Sequence, residues 1–205
     1  MHRLDDAPTS RDTDHLPEQN FGGRASWAAN FVDSSSNDAL GHGTAIAGIA
    51  AATVVGVSRR SKVLAVKVFN DSGSGTTSGI IQGLNFVASD APTRGCVNGR
   101  GFANFAGAGA FSAALNSAAS GLVAQGHFLS ADAGNTNAPV SSISPASAQG
   151  VCVAGPTNAA DVIPTYTNYG GVDIYAPGVQ ILSLRNTGGT VSKPWRTAPD
   201  VPSSR

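Results

Sequence analysis

Charged residues are scarce in this sequence of 205 residues. Only 13% of the residues are charged, and 13 basic residues balance 13 acidic ones. This balance argues against the basic patch of a nucleic-acid-binding protein and against an acidic, solvating tail. The low charge and the 25 glycines are typical of a compact α/β protein with many loops, and the length fits one domain.

Long hydrophobic runs are also missing. No stretch reaches the roughly 18 apolar residues of a membrane-spanning helix, so we expect no membrane partner. Residues 1–6 contain no apolar segment, so the sequence predicts no secretory signal at this point. We expect a monomer, and these features leave the localisation of the chain undetermined.

Cysteine is nearly absent. The two cysteines, Cys96 and Cys152, are too few for a disulfide framework. They can form one bridge or stay reduced. We favour free thiols, because no metal-binding or redox motif surrounds either residue.

Hydrophobic patterns predict alternating strands and helices after an irregular N-terminal arm at 1–20. Residues 43–52 are apolar on every side, which is typical of a helix buried on all faces. The other predicted helices are 77–88 and 111–124, and the predicted strands are 63–69, 102–106, 127–131, 151–154, 172–175 and 179–184. This alternation is the signature of a parallel sheet with crossover helices.

The tetrapeptide Gly-His-Gly-Thr at 41–44 opens the first of these helices. A general base needs a histidine that is held still, near a carboxylate and a nucleophile, and His42 at a helix start meets the first requirement. Because a lone histidine is more often structural, the tetrapeptide alone does not establish catalysis.

Ordered motifs extend from this tetrapeptide along most of the chain. Residues 38–48, Asp-Ala-Leu-Gly-His-Gly-Thr-Ala-Ile-Ala-Gly, resemble the histidine motif of the subtilisin-like serine proteases, the subtilase family. The similarity is greatest to the fungal, proteinase K-like branch and covers roughly residues 12–192. The further similar segments are 66–75, 86–90, 116–119, 133–135, 144–147, 168–170 and 176–178.

The resemblance implies a three-layer α/β fold of the subtilisin type with a mostly parallel sheet, incomplete at both ends. It places a partial catalytic domain at 21–192 and an irregular tail at 193–205. The implied activity is serine-type endopeptidase action on a polypeptide substrate through an acyl-enzyme. Members of this family are mostly secreted.

The resemblance also implies individual roles. His42 matches the general base, and Asn135 matches the side-chain donor of the oxyanion hole. Two segments match the edges of the substrate cleft, which would bind an extended peptide by strand addition. The first is Gly73, Ser74 and Gly75, and the second is Ala106, Gly107 and Ala108.

Two members of the implied triad depart from the family pattern. Asp12 is the best match to the catalytic aspartate, but Asp14 stands where the motif has glycine. The alternative for Asp12 is a solvated aspartate in the arm. The nucleophile serine is not found. Gly188–Ser192 leads to Lys-Pro-Trp instead of a helix. Ser203 and Ser204 have no Gly-Thr directly before them and no helix after them.

These departures predict an inactive chain, as expected of a truncated or misassembled gene product. The alternatives are a non-catalytic pseudo-protease that keeps the peptide cleft and an unstable fragment that exposes apolar faces. Either way, side-chain specificity is not predicted.

No cofactor is predicted. Calcium is common in the family, but Asn158 stands near the place of an expected ligand aspartate. Cys96 and Cys152 resemble half-cystines of fungal relatives. Asp132 stands where the family strand is small and apolar, and a buried carboxylate is costly unless it is paired.

One remote alternative comes from another class of protein. Gly107-Ala108-Gly109 lies between a predicted strand and a predicted helix, and Asp132 follows about 25 residues later. This arrangement imitates a dinucleotide-binding unit, although the usual third glycine is missing.

Overall fold

The computed structural model describes residues 18–96 and 101–193. The helices are α1 (Glu18–Phe21), α2 (His42–Ala51), α3 (Thr77–Thr93) and α4 (Ala113–Ala124). The strands are β1 (Ala25–Asn30), β2 (Val63–Lys67), β3 (Phe102–Phe105), β4 (Gly109–Ala110), β5 (Phe128–Asp132), β6 (Ile143–Ser144), β7 (Cys152–Thr157), β8 (Ile174–Pro177), β9 (Ile181–Leu184) and β10 (Thr190–Lys193).

Parallel pairing dominates the sheets. β1 pairs with β2, and a four-stranded parallel sheet has the order β3-β5-β7-β8. Two short antiparallel pairs, β4 with β6 and β9 with β10, lie outside these sheets. α2 connects β1 to β2, α3 connects β2 to β3, and α4 lies between β3 and β5, so the predicted α/β fold with a mostly parallel sheet is confirmed.

The larger hydrophobic cluster packs α3 and α4 against the four-stranded sheet. β5 shows why its sequence forms a sheet with one buried face. Leu129 and Ala131 are almost fully buried in this cluster, whereas the alternate residue Phe128 is 50% exposed. This alternation follows from the two-residue period of a strand, and it fixes the register of β5.

A smaller cluster joins α1, α2 and β9 through Phe21, Ala52 and Leu184. Phe21, the last residue of α1, is fully buried. The predicted domain bounds at 21 and 192 stay predictions, with α1 beginning at Glu18 and β10 ending at Lys193.

The helix predicted at 43–52 forms as α2, but it is not buried on all faces. Thr44, Ala45, Gly48 and Ala51 are buried, whereas the residues between them are partly exposed. The buried side packs closely against β9, where a Cβ atom on Gly48 would lie 2.6 Å from Ser183 Oγ. The small residues of α2 therefore serve close packing on one side.

Other predicted elements form with shifted ends. The helix predicted at 77–88 runs on to Thr93 as α3, and Gly95 then adopts a left-handed φ of 74°. Glycine favours this backbone conformation just beyond a helix end. β1 was not predicted, because Ala-Ser-Trp-Ala-Ala-Asn has little β-branched character and becomes a strand by pairing with β2.

The expectation of free thiols is confirmed. Cys96 and Cys152 are both free and partly buried. In the part of the chain that the structure describes, no helix has the length and apolar character needed to span a bilayer.

Truncation of a core side chain should test this packing. Leu129 is 1% exposed and Leu182 is 51% exposed. We expect Leu129→Ala to lower the free energy of unfolding by about 2–5 kcal/mol, because the lost burial adds to the energy of the cavity left behind. Leu182→Ala should cost less than about 0.5 kcal/mol.

Urea unfolding followed by circular dichroism measures both variants, and the wild type should show one cooperative transition. Equal losses for the two leucines would contradict the assignment of Leu129 to the core.

Candidate active site

The side chain of Asp38 fixes the start of α2, and with it His42. Its Oδ2 accepts hydrogen bonds from the Thr44 backbone N–H at 2.6 Å and from Thr44 Oγ1 at 2.8 Å, and its Oδ1 accepts from the Gly41 N–H at 2.9 Å. A carboxylate in this place satisfies N–H groups that the helix leaves unpaired, and its charge complements the helix dipole. Gly41 has a left-handed φ of 79°, which lets the chain turn directly into the helix.

Two side chains from the far end of the sequence brace the same helix. The Asn186 amide donates to the backbone oxygens of Asp38 at 2.8 Å and Ala39 at 2.9 Å. Ser183 is fully buried, and its hydroxyl donates to the Ala45 carbonyl oxygen at 2.5 Å. His42 therefore stands on a helix end that is held from both sides.

The imidazole of His42 points at the strand-end segment that follows β3. Its Nε2 lies 3.2 Å from the carbonyl oxygen of Ala106, and the side chain is partly buried. When the ring is protonated at Nε2, it donates to this oxygen. With Nε2 unprotonated, the ring can accept a proton there, but it no longer donates to the Ala106 oxygen.

The register between β3 and β5 brings Asn135 to the edge of the sheet at which Ala106 lies. Phe105 pairs with Ala131 in the parallel ladder between β3 and β5, so Ala106 and Asp132 lie side by side at the strand ends. Asn135 follows three residues later and is partly buried. The structure thus brings His42, Ala106 and Asn135 to one edge of the sheet, the carboxyl edge where α/β proteins bind ligands.

The buried carboxylate of Asp132 is accommodated by hydrogen bonding. Asp132 is 7% exposed, and its Oδ1 accepts from the Gly134 N–H at 3.0 Å. Backbone donors compensate part of the desolvation of a buried carboxylate. The departure from small apolar residues at this position is therefore compatible with the fold.

One aromatic ring separates the two predicted cleft segments. A Cβ atom on Gly75 would lie 2.9 Å from Phe69 Cδ1, and a Cβ atom on Gly107 would lie 2.7 Å from Phe69 Cζ. The Phe69 ring also contacts Phe105, with ring centroids 5.6 Å apart. At Gly107 the ring fills the space of a side chain, and at Gly75 the Val68 carbonyl oxygen, 2.4 Å from the Cβ position, excludes one together with the ring.

This packing bears on the dinucleotide alternative. A dinucleotide-binding glycine leaves room for a pyrophosphate to approach the backbone. At Gly107 the Phe69 ring occupies the space beside the Cα atom. The ring packed against Gly107 therefore argues against a dinucleotide site at this segment.

The first cleft segment is shaped by Asn70. Its Oδ1 accepts from the backbone N–H groups of Ser72 at 3.0 Å and Ser74 at 2.9 Å, and from Ser72 Oγ at 2.7 Å. Gly73 completes the turn with a left-handed φ of 79°. The loop is thus ordered by its own polar groups, as in an Asx turn.

The catalytic aspartate stays a prediction, and no serine is assigned as the nucleophile. Asp12, Ser203 and Ser204 lie outside the described residues. Ser192 lies in β10, where its backbone is paired with Leu182 in an antiparallel ladder. It therefore stands in a strand and not at the start of a helix.

A buried lysine ties the loop before α2 to the end of β2. Lys67 Nζ donates to Asp33 Oδ2 at 3.0 Å and to the Ser35 carbonyl oxygen at 3.0 Å. The hydrogen bond from Lys67 and the backbone hydrogen bond of Ser35 hold the pKa of Asp33 below its usual value. This ion pair anchors the loop that carries Asp38.

No metal site emerges from the described ranges. Within 18–96 and 101–193, no group of three or more His, Cys, Asp or Glu residues is placed to hold an ion. Asn158 uses its Oδ1 to accept from the N–H groups of Ala160 and Val162 at 2.9 and 3.0 Å. Its side chain therefore orders a turn, and the expectation about calcium stays a prediction.

Sequence comparison agrees with the geometry. The Subtilase family pattern matches residues 16–200. The chain is 45% identical over 185 residues to the subtilisin-like serine protease AsES of Sarocladium strictum, covering 89% of this chain and 47% of that protein. It is 42% identical to the subtilisin-like serine protease Pen c 1 of Penicillium citrinum, covering 91% of this chain and 47% of that protein.

Structural comparison gives the same relation. The crystal structure of a cold-adapted subtilisin-like serine proteinase matches with a TM-score of 0.81 and 35% sequence identity, covering 90% of this chain and 67% of that one. The predicted resemblance to fungal subtilisin-like serine proteases is confirmed by the sequence relatives. The chain spans about half the length of the curated relatives it matches.

Removal of the carboxylate at Asp38 should loosen the start of α2. We expect Asp38→Ala to lower the free energy of unfolding by about 0.5–2 kcal/mol, the usual cost of a lost helix cap. Asp71→Ala is the control, because Asp71 is 61% exposed and lies at 3.5 Å from Lys67. Urea titration compares the two, and a loss at Asp71 that matches the loss at Asp38 would refute the capping role.

The ion pair between Asp33 and Lys67 should make the free energy of unfolding depend on pH. Because its pKa is lowered in the folded state, the pair stabilises the fold above the ordinary pKa of 3.8, and this contribution is lost as the pH falls through the folded pKa. We expect the stability difference between wild type and Asp33→Asn to shrink below pH 3.8. Lys67→Met should remove the same dependence, and a difference that is constant with pH would contradict the account.

Proposed function

Because the chain belongs to the subtilase family, we propose that its site is that of a serine-type endopeptidase, with His42 as the general base and Asn135 as the oxyanion donor. The proposal depends on one observation. His42 Nε2 reaches the Ala106 carbonyl oxygen at 3.2 Å, and Asn135 leaves the neighbouring strand end of the same sheet edge.

In the proposed reaction, a serine hydroxyl attacks the carbonyl carbon of the scissile peptide bond. His42 accepts the hydroxyl proton at Nε2 and then gives it to the leaving amine, so that an acyl-enzyme and a free amine are formed. The Asn135 side-chain N–H donates to the oxyanion of the tetrahedral intermediate. Water then attacks the acyl-enzyme. His42 accepts the proton of the water and returns it to the serine oxygen as the carboxylic acid product leaves.

The substrate of the proposed site is an extended polypeptide. It lies between Gly73–Gly75 and Ala106–Ala108 and pairs with their backbones as an added strand. The Phe69 ring supports this geometry, because it sets the spacing between the two segments. Recognition through backbone hydrogen bonds needs no particular side chain.

The nucleophile is the member of the machinery that we do not assign. No serine in the sequence is directly preceded by Gly-Thr, and the backbone of Ser192 is held in β10. Without an activated serine the base has no proton to accept, and loss of a triad nucleophile removes most catalysis. We therefore propose that this chain binds peptides without hydrolysing them.

A fluorophosphonate probe tests this proposal, because it forms a covalent adduct only with an activated serine. We expect the intact mass of the purified chain and of the control His42→Ala to stay unchanged after incubation. An adduct that forms in wild type and not in His42→Ala would overturn the proposed inactivity, and peptide mapping would then locate the nucleophile.

A further inference from the structure

Asn168 is a buried polar residue without a role in the proposed mechanism. Its side chain is 1% exposed. The Oδ1 atom accepts three hydrogen bonds from the loop that follows β5. The donors are the Thr136 N–H at 2.9 Å, Thr136 Oγ1 at 3.0 Å and the Ala138 N–H at 3.0 Å. Two of these donors are backbone N–H groups, so an acceptor oxygen is required in this place.

The backbone around Asn168 binds the same loop on both sides of Asn135. The Asn168 N–H donates to the Gly134 carbonyl oxygen at 3.0 Å, and the Tyr169 N–H donates to the Ala138 carbonyl oxygen at 3.1 Å. Asn135 therefore lies between two attachment points, Gly134 before it and Thr136 after it. Both depend on the segment that contains Asn168.

The loop has a backbone that needs such support. Gly134 and Asn137 both adopt left-handed conformations, with φ of 88° and 50°. A non-glycine residue in this region is unfavourable and persists where its surroundings hold it. Thr136 and Asn137 have exposed side chains, so apolar burial contributes little to holding this part of the loop.

Close packing explains why a glycine precedes Asn135. A Cβ atom on Gly134 would lie 2.4 Å from Asn168 Nδ2 and 3.0 Å from Ile143 Cδ1. Only a residue without a side chain lets the Asn168 amide lie directly against the loop backbone. The Nδ2 atom makes no hydrogen bond among the described residues, so the amide oxygen is the atom that holds the loop.

We propose that Asn168 is a positioning residue for Asn135, and that its Oδ1 fixes the loop so that the Asn135 amide faces the oxyanion. The inference rests on the proposed function, since it takes Asn135 as the oxyanion donor. Asn168 acts through Thr136 and Ala138 and does not touch the substrate. Asn168 lies 32 residues after Thr136 and 30 residues after Ala138 in the sequence.

Amide hydrogen exchange tests the hydrogen bonds without requiring activity. In ¹⁵N-labelled wild type, the Thr136 and Ala138 amides should exchange slowly. Asn168→Leu keeps the size of the side chain and removes the acceptor, so we expect both amides to exchange at least about tenfold faster, the factor that corresponds to one lost hydrogen bond. Asn168→Asp keeps the acceptor and should restore slow exchange.

Ser183→Ala is the matched control, because it also removes a fully buried polar group, from the side of α2. It should leave the exchange of Thr136 and Ala138 unchanged. Equal exchange in wild type and Asn168→Leu would overturn the proposal. If Asn168→Leu does not fold, rapid exchange of these two amides in wild type would overturn it equally.

The Asn135 side-chain amide gives the functional readout. Acetylated tetra-alanine with a free carboxylate should shift this NMR signal in wild type and in Asn168→Asp. In Asn168→Leu, the peptide concentration that gives half of the full shift should be at least about threefold higher. An unchanged affinity in Asn168→Leu would contradict the positioning role. If the peptide shifts no Asn135 signal in wild type, the proposed function fails, while the exchange rates still decide whether Asn168 holds the loop.

Discussion

The pairing of β3 with β5 is the constraint on which the site depends. The two strands run parallel, with Phe105 opposite Ala131, so the segments that leave them end at one edge. Ala106 then lies against His42, and Asn135 follows the end of β5 by three residues. A shift of one residue in this register would exchange the buried and exposed faces of β5 and separate these groups. The hydrophobic alternation of β5 therefore determines the chemistry as well as the core.

Much of the fold was predictable because its signals are local. The buried helix start at His42, the runs of apolar strand residues and the helical spacing in α3 and α4 each depend on neighbours within one element. The ordered motifs also indicated the subtilase family, which the comparisons confirm. β1 was missed because its alanines carry no strand signal. Its conformation comes from pairing with β2, which lies more than thirty residues away in the sequence.

The hydrogen bonds that hold the site residues in place were also not predictable, because they join segments that lie far apart in the sequence. Asp38 was seen only as part of a motif, because it lies four residues before the start of α2 and not at the N-cap position, which Gly41 occupies. Asn186, which braces the loop of Asp38 from 148 residues away, carries no local signal at all. The hydrogen bonds from Asn168 to the loop of Asn135 likewise cross about thirty residues. Polar contacts between distant segments follow from the fold and leave little trace in composition or periodicity.

We propose that His42, Ala106–Ala108 and Asn135 form one peptide-binding edge. The first measurement to make is a crystal structure of the chain with a bound oligo-alanine peptide. We expect the peptide to lie between Gly73–Gly75 and Ala106–Ala108, with its terminal carboxylate at the Asn135 amide and beside the His42 ring. A peptide bound elsewhere, or a carboxylate far from Asn135, would refute this arrangement.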